Sequence, residues 1–407
     1  MIEHGMDSAD VLDRLKELRA GDIDWRGGRA FSLVYNTGDH EHETLLEQVV
    51  AAFCHENALN PFVYPSLVQL EHEVVGAAAA LVGDPPPGAG CLTSGGTESI
   101  FLAVQVARDH AAATRGVDRA QLVTGDTVHP AFPKACHYLG VEHVRVPHGD
   151  DGRLDVDALA AAVGEQTALV VASAPCYPFG VIDDVPAVAA VAAERGVLCH
   201  VDACLGGWLL PFWEAIGEPV PAWHFAVDGV TSLSMDVHKY GYATKGASVL
   251  LHRTTDLRMH QLFVYDEWPG GLYGSLTTAG TRSGAPIAAA WAAIHHLGRD
   301  GYLRLAEVVR DTTKRFIVGI DAIDGLRLTH QPDLSILELT SDAAPIGAVG
   351  DVMDDRGWHL DRQQGGLHLM VSPFHAEVAD RFLADLADAA ATTADDQGKG
   401  ASYGGVV

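Results

Sequence analysis

Between residue 91 and about residue 253, short apolar runs of strand length recur between turns and helical segments, and this alternation limits the possible folds more than any other feature. The runs are Gln121 to Thr124, His143 to Val146, Ala168 to Ala172, Val197 to Val201, Gly229 to Ser234 and Ala247 to Leu251. Helical segments such as Asp155 to Val163 and Val185 to Arg195 lie between them. Strands alternating with helices pair mainly in parallel, because each helix carries the chain back along the sheet, and the helices then cover both faces. The expected class is α/β. In such sheets ligands gather beyond the carboxyl ends of the strands.

The flanks read differently. Residues 7 to 20 predict an amphipathic helix with Val11, Leu12, Leu15 and Leu18 at helical spacing, followed by an extended Phe31 to Tyr35 and a helix from Glu43 to Glu56. Such an arm buries little by itself and is expected to lie against a neighbouring surface. Pro65 to Leu81 predicts a third helix, stopped by Gly83 and Pro85-Pro86-Pro87. Beyond a glycine-rich loop up to Gly284 come helices from Ala285 to Leu297 and over 301 to 319. Short strands at Leu326 to Thr329, Ser335 to Leu339 and Gly366 to Val371 and a last helix from Ala376 to Ala391 complete a small α/β C-terminal domain. The expected division is an arm over 1–60, a large domain over 61–290, a small domain over 291–391 and a disordered tail over 392–407.

Composition narrows the function. With 27 Lys and Arg against 54 Asp and Glu, the formal net charge of −27 disfavours nucleic acid and anionic membrane surfaces. An anionic small substrate remains compatible, since a pocket needs only two or three local donors. The six cysteines contain no Cys-x-x-Cys and read as reduced residues of a cytoplasmic protein. Among 21 histidines there is no His-Glu-x-x-His, and His40-Glu41-His42-Glu43 reads as a solvated loop, so no metal is expected. The longest apolar run, Val74 to Val82, is too short for a transmembrane anchor.

Chemistry enters through four stretches. Ser234-Met235-Asp236-Val237-His238-Lys239-Tyr240-Gly241 follows an apolar run and is followed by Lys245-Gly246. A lysine there can hold the aldehyde of pyridoxal 5'-phosphate, because a desolvated amine loses its proton more readily, and His238 beside it can donate to the cofactor phosphate. Alone, His-Lys is equally a surface dipeptide. Ser94-Gly95-Gly96-Thr97-Glu98-Ser99 precedes a helix from Ile100 to Ala113. Its glycines admit close approach of an anion to free backbone amides, which makes Gly96 and Thr97 the phosphate contacts, although Ser and Thr also cap helices.

Asp202, at the end of the run Val197 to Val201, places a carboxylate where a cationic partner is required. A protonated pyridine nitrogen is such a partner, and the pairing keeps the ring an electron sink; a helix cap is the other reading. Cys204, two residues on, shares the face of Asp202 if the strand continues, and then packs beneath the ring. His129, just after Gln121 to Thr124, can stack on the opposite ring face and assist proton movement. Ser173, at the end of Ala168 to Ala172, can contact the phenolic oxygen or serve as a turn serine.

Ser94 to Ser99, His129-Pro130-Ala131-Phe132 with Lys134-Ala135, Val201 to Gly207, and Asp236-x-His238-Lys239-Tyr240-Gly241 with Lys245-Gly246 together resemble the group II pyridoxal phosphate-dependent decarboxylase superfamily. Gly229-Val230-Thr231-Ser232, His238 to Gly246, Gly270-Gly271-Leu272-Tyr273, Leu59-Asn60-Pro61 with Pro65-Ser66-Leu67, and Asp300-Gly301-Tyr302 resemble the sphingosine-1-phosphate lyase family within it. The resemblance implies fold type I, with a mostly parallel seven-stranded sheet, and a homodimer whose active sites are shared between subunits. It also implies retro-aldol cleavage of a phosphorylated long-chain 2-amino-3-hydroxy compound to an aldehyde and phosphoethanolamine. Tyr35, Lys245 and Arg282 become contacts for substrate phosphate or proton transfer. An amino acid decarboxylase and a noncatalytic cofactor-binding protein are the alternative readings. Val68 stands where many relatives have a basic residue, and Leu276 and Ser283 replace common prolines. The membrane anchor of eukaryotic relatives is missing from the pattern, so the substrate is expected to be met from the soluble side.

Overall fold

The computed structural model describes residues 4–392 and 399–401. At its centre, β1 (Gly90–Thr93), β2 (Gln121–Gly125), β3 (Glu142–Val146), β4 (Thr167–Ser173), β5 (Leu198–Asp202), β6 (Ser232–Met235) and β7 (Ser248–His252) form one seven-stranded sheet. Their spatial order is β1-β7-β6-β5-β4-β2-β3. β2 to β6 pair in parallel, and β7 is antiparallel to both β6 and β1. The reversal has a simple cause: only the loop 236–247 joins β6 to β7, so no crossover helix returns the chain, and it turns back beside itself. Each of the six apolar runs overlaps a strand. β1 has no such signal, because four residues between a proline-rich turn and a glycine pair are too few for periodicity to show.

All seven residues of β4 are buried, which is why it reads as an unbroken apolar run rather than an alternation. The helices have local reasons to start and stop where they do. Val185–Arg195 begins after Asp184, whose carboxylate accepts the Ala187 N–H at 3.1 Å, carries Pro186 in its first turn, and ends on Gly196 at φ 64°.

Four helices open the chain in order: α1 (Ser8–Arg19), α2 (His40–Ala52), α3 (Pro65–Leu81) and α4 (Gly96–Arg115). α1 buries none of its residues. The stretch expected to be a solvated loop, His40 to Glu43, is instead the first turn of α2: Asp39 accepts the Glu41 N–H at 2.9 Å, and His42 is buried with its Nε2 3.0 Å from the Tyr242 carbonyl. The polar composition misled because a helix entrance favours the same acidic residues as a loop. Among the described residues no three His, Cys, Asp or Glu side chains are grouped to hold a metal ion, and no helix is long and apolar enough to cross a membrane.

After a short hairpin, β8 (Phe263–Tyr265) and β9 (Tyr273–Ser275), one helical stretch covers Gly284–Asp321. It is the two expected helices joined across Gly298, which adopts φ 55° and ψ −178°. This stretch runs from the core around Ile287 and Ala293 to a second core around Phe316, Met353, Trp358 and Phe382. That second core lies on a four-stranded antiparallel sheet of β10 (Leu326–Leu328), β11 (Ile336–Ser341), β12 (Asp361–Arg362) and β13 (Leu367–Met370), ordered β10-β11-β13-β12.

Phe31 to Tyr35 does not run extended as expected: it bends at 31–33, with Leu33 at φ 67°. Ala30 bridges His359, the Phe31 N–H donates to the His359 carbonyl, and the Phe31 carbonyl accepts from Met370 at 2.7 Å. The Phe31 ring stacks on His375 at 4.1 Å inside the second core. Of the tail expected to be disordered, 393–398 and 402–407 lie outside the described residues.

The lysine-bearing loop is tied across to the second core. Tyr240, fully buried, donates to the Val371 carbonyl at 3.0 Å and accepts from the Ser335 hydroxyl at 2.7 Å. Replacing Tyr240 by Phe keeps the ring and deletes both bonds, leaving a buried carbonyl and hydroxyl without this partner. The expected loss of unfolding free energy is about 1–3 kcal/mol, read by urea denaturation. A change below about 0.5 kcal/mol would show that these bonds do not hold the two cores together.

Candidate active site

The carboxyl ends of β1, β2, β4, β5 and β6 lie along one edge of the sheet, since β1 is parallel to β6 through their shared antiparallel neighbour. The expected residues follow these strands. Ser173 ends β4, in register with Asp202, which ends β5 in register with Ser234. Asp202 Oδ1 accepts the Cys204 N–H at 3.1 Å, and the Cys204 thiol reaches Ser234 Oγ at 3.3 Å. The strand stops at Asp202, so Cys204 comes close through this turn and not through strand alternation. Burial, then the Asp202 charge, pushes its thiol well up; it is a packing group, not a nucleophile.

Behind Asp202 sits a group that sequence reasoning missed. His200, two residues earlier on the same face of β5, lies with Nδ1 2.8 Å from Ser232 Oγ and Nε2 3.1 Å from Ser234 Oγ. Burial lowers it to about 4, so it is neutral, and it braces Ser234, whose hydroxyl stands 3.5 Å from Asp202 Oδ1. The signal was the period-two spacing of His200 and Asp202 in an otherwise apolar strand.

Lys239 lies in the turn after β6, its Nζ 3.0 Å from Asp236 Oδ2. His238 accepts the Ala247 N–H at Nδ1 (3.1 Å), which leaves its proton on Nε2, 3.6 Å from the same Asp236 oxygen. Burial brings His238 down to about 4, with Asp236 opposing. Across the cleft, His129 accepts the Ala131 N–H at Nδ1 (3.1 Å), and so carries its proton on Nε2. Burial lowers it, against the opposing pull of Asp202. Lys245 donates to the His238 carbonyl at 3.2 Å and sits 4.9 Å from the Tyr35 ring centroid. Its ammonium is lowered to about 8, first by desolvation and then by the Lys239 charge.

The glycine turn tests whether a phosphorylated ring fits. A Cβ at Gly96 would stand 2.8 Å from Cys204 Sγ and 2.9 Å from Asp236 Oδ2, so only glycine lets the start of α4 settle against the site. A Cβ on Gly95 would stand 3.5 Å from the His238 ring, and Thr97 is exposed. The groups present fit a pyridoxal phosphate: a helix N-terminus could take the phosphate, an aspartate a pyridinium, and an imidazole and an amine lie with them. Glu98 fixes this turn from behind, accepting the Ser94 N–H and hydroxyl at 2.7 Å each and the Thr278 N–H at 2.8 Å. For Gly96→Ala the expected result is at least about tenfold weaker cofactor retention in equilibrium dialysis, because the added methyl displaces Cys204 or Asp236. Unchanged retention would place the phosphate elsewhere.

Arg282 is not brought to this cluster. It forms a two-pronged pair with Glu71, one arm at 3.0 Å, and with Leu59, Val68 and Tyr273 it lines a separate cavity of about 490 Å³. Tyr35 is nearer, donating to Met370 Sδ at 3.1 Å and packing edge-on against Tyr240.

An aspartate, an imidazole, a glycine-opened helix and a lysine at the carboxyl edge of a mostly parallel sheet define a fold type I pyridoxal phosphate enzyme. Comparison with known proteins agrees: residues 18–316 match the pyridoxal-dependent decarboxylase conserved domain. The chain belongs to that family, in its sphingosine-1-phosphate lyase branch. It is 38% identical to the sphingosine-1-phosphate lyase of Oryza sativa subsp. japonica, over 95% of this chain and 73% of that one, and 38% identical to sphingosine-1-phosphate lyase 1 of Rattus norvegicus, over 98% and 72%. The structure of a sphingosine-1-phosphate lyase of Burkholderia pseudomallei K96243 superposes with a TM-score of 0.91 at 39% identity, covering 96% of this chain and 92% of that one. Glutamate decarboxylase of Lactobacillus brevis shares the fold, with a TM-score of 0.84 at 20% identity over 96% and 93%.

Proposed function

We propose that this chain is a pyridoxal phosphate-dependent aldehyde-lyase that cleaves the C2–C3 bond of a phosphorylated long-chain 2-amino-3-hydroxy compound, the sphingosine 1-phosphate type, to an aldehyde and phosphoethanolamine. The observation that carries this reading is identity of 34–38% to sphingosine-1-phosphate lyases from seven organisms over at least 93% of this chain. Bound pyridoxal phosphate supplies the electron sink for the pair left on C2.

Each residue then has a part. Lys239 would hold the cofactor. Asp202 would pair with the ring nitrogen, with His200 bracing Ser234 beside it. Gly96, Thr97 and His238 Nε2–H would hold the cofactor phosphate and Ser173 the phenolic oxygen, and Cys204 and His129 would enclose the ring. Lys245 beside Tyr35 takes the substrate phosphate when charged; with its proton held to about 8 by burial, it is also the group suited to accept the 3-hydroxyl proton.

A homodimer with shared sites is part of the proposal. In the single chain Phe62 is 93% and Leu272 75% exposed, alongside exposed Leu59, Val63, Phe263 and Trp268, and α1 presents Val11, Leu12, Leu15 and Leu18 with no cover. So much apolar surface calls for a partner, and a second copy of this chain fits, with Arg282 on this face serving the partner's site. The division into an arm over 1–60, a cofactor-binding domain over 61–290 and a small domain over 291–391 belongs to the same reading; the second core, built apart from Phe31 only of residues from 316 onward, supports the small domain, whereas the first core reaches across residue 290 as far as Met370. So does a cytoplasmic location, in keeping with six free cysteines.

The test is to incubate the cofactor-loaded protein with dihydrosphingosine 1-phosphate and follow the long-chain aldehyde and phosphoethanolamine by mass spectrometry. Equal amounts of both are expected. If neither forms while the cofactor remains bound, the substrate assignment falls, and release of carbon dioxide from amino acids becomes the next measurement.

A further inference from the structure

We propose that Asp236 is a positioning residue for cofactor loading: in the cofactor-free chain it holds the Lys239 ammonium, and capture of the aldehyde requires the lysine to leave this carboxylate. The inference rests on the assignment of Lys239 as the cofactor lysine.

Asp236 follows β6 directly and is only 2% exposed. One oxygen, Oδ2, is 3.0 Å from Lys239 Nζ and 3.6 Å from His238 Nε2, and the Ser248 hydroxyl also bears on the carboxylate. Both oxygens stand about one van der Waals contact or less from where a Gly96 side chain would begin, so the carboxylate forms the floor of the glycine turn. A carboxylate buried to this degree persists only beside a cation. Burial pushes its proton affinity up, yet the Lys239 charge and then His238 outweigh burial and hold the carboxyl below its usual range.

Two lysines compete for this one charge. Desolvation and then the Lys239 charge bring Lys245 down to about 8, and Asp236 compensates it only in part. The carboxylate 3.0 Å from Lys239 Nζ favours the charged form of that amine, and no such contact is made by the Lys245 ammonium, which donates to the His238 carbonyl. The other titratable groups facing the pair are His129 and Asp202 from the neighbouring strand ends, Cys204, His238 and Tyr240; all of them remain in an Asp236 variant.

Condensation of an amine with an aldehyde forms a carbon–nitrogen double bond, and the aldehyde oxygen leaves as water with the two amine hydrogens. An ammonium must first lose its third proton, which goes to solvent because Asp236 is held too acidic to keep it. A carboxylate 3.0 Å away opposes that loss, and its removal shifts loading to lower pH.

The experiment measures the rate of appearance of the visible absorption band against pH, mixing cofactor-free protein with pyridoxal 5'-phosphate and, separately, with pyridoxal. For Asp236→Asn the midpoint is expected about one pH unit lower with both compounds, and for Asp236→Glu near that of the unaltered protein. A midpoint that does not move overturns the proposal. So does a shift seen with pyridoxal 5'-phosphate alone, which would mean that the carboxylate acts on the phosphate. Borohydride reduction and peptide mapping after each run separate the two claims: a label away from Lys239 defeats the assignment of the lysine, whereas a label on Lys239 with an unmoved midpoint defeats only the role of Asp236. Should Asp236→Asn fail to fold, acylation of the unaltered cofactor-free protein decides. Lys245 is expected to show a lower pH midpoint for acylation than Lys239, and the reverse order overturns the proposal.

Discussion

Lys239→Ala is expected to yield a protein that binds pyridoxal 5'-phosphate without the visible band of a lysine-bound cofactor and turns over substrate about 10⁴-fold more slowly or worse. Losses of this size follow removal of a group that reacts covalently in a unit acting together. A second effect follows from Asp236. Deleting the ammonium 3.0 Å away leaves a buried carboxylate without its principal cation. Breaking one side of a buried ion pair costs about 3–5 kcal/mol, so the cofactor-free variant should unfold well before the unaltered protein in urea. Lys239→Ala combined with Asp236→Asn should regain much of that stability and none of the activity. A variant that keeps the band takes Lys239 out of its role, and a double variant no more stable than Lys239→Ala would show that the pair is not what the single substitution broke.

Asp202→Asn is the second large effect, and it separates charge from shape. The amide oxygen can still accept the Cys204 N–H, and Ser234 remains within 3.5 Å, so the fold should be retained with a melting temperature close to that of the unaltered protein. On the proposed assignment, what disappears is the negative charge that would face the pyridine nitrogen. The ring then stays neutral and withdraws electrons poorly, and kcat should fall about 10²–10³-fold, the range seen for loss of one preorganised electrostatic contact. Attachment of the cofactor to Lys239 should survive, visible as a retained band. Turnover within a few-fold of the unaltered protein would place the ring nitrogen elsewhere.

How legible the site was depended on the kind of residue. Lys239, Asp202 and His129 follow strand ends that hydrophobic runs announce, Gly96 stands in a glycine pair that opens a helix, and their chemistry is specific enough to suggest a cofactor. Asp236 stood inside the quoted lysine motif and was passed over, since nothing in the sequence says that its oxygens meet Gly96, 140 positions earlier, as well as Lys239. Likewise Arg282 looks like a phosphate ligand in sequence. Its pairing with Glu71 depends on how the loop after β9 packs against α3, a contact between distant segments.

The same divide holds for the chain as a whole. Local order is written locally: period and run length gave six of the seven central strands, and the breakers Gly83 and Pro85-Pro86-Pro87 gave the end of α3, because each depends on neighbours within a few residues. Tertiary packing decided the rest. It set β7 antiparallel and made His40 to Glu43 a helix start. It carried Phe31 into a core built mainly from residues after 316, and it put one carboxylate against both Lys239 and a glycine turn. These outcomes rest on burial and charge pairing between segments far apart in the chain, energies that no short window of sequence contains.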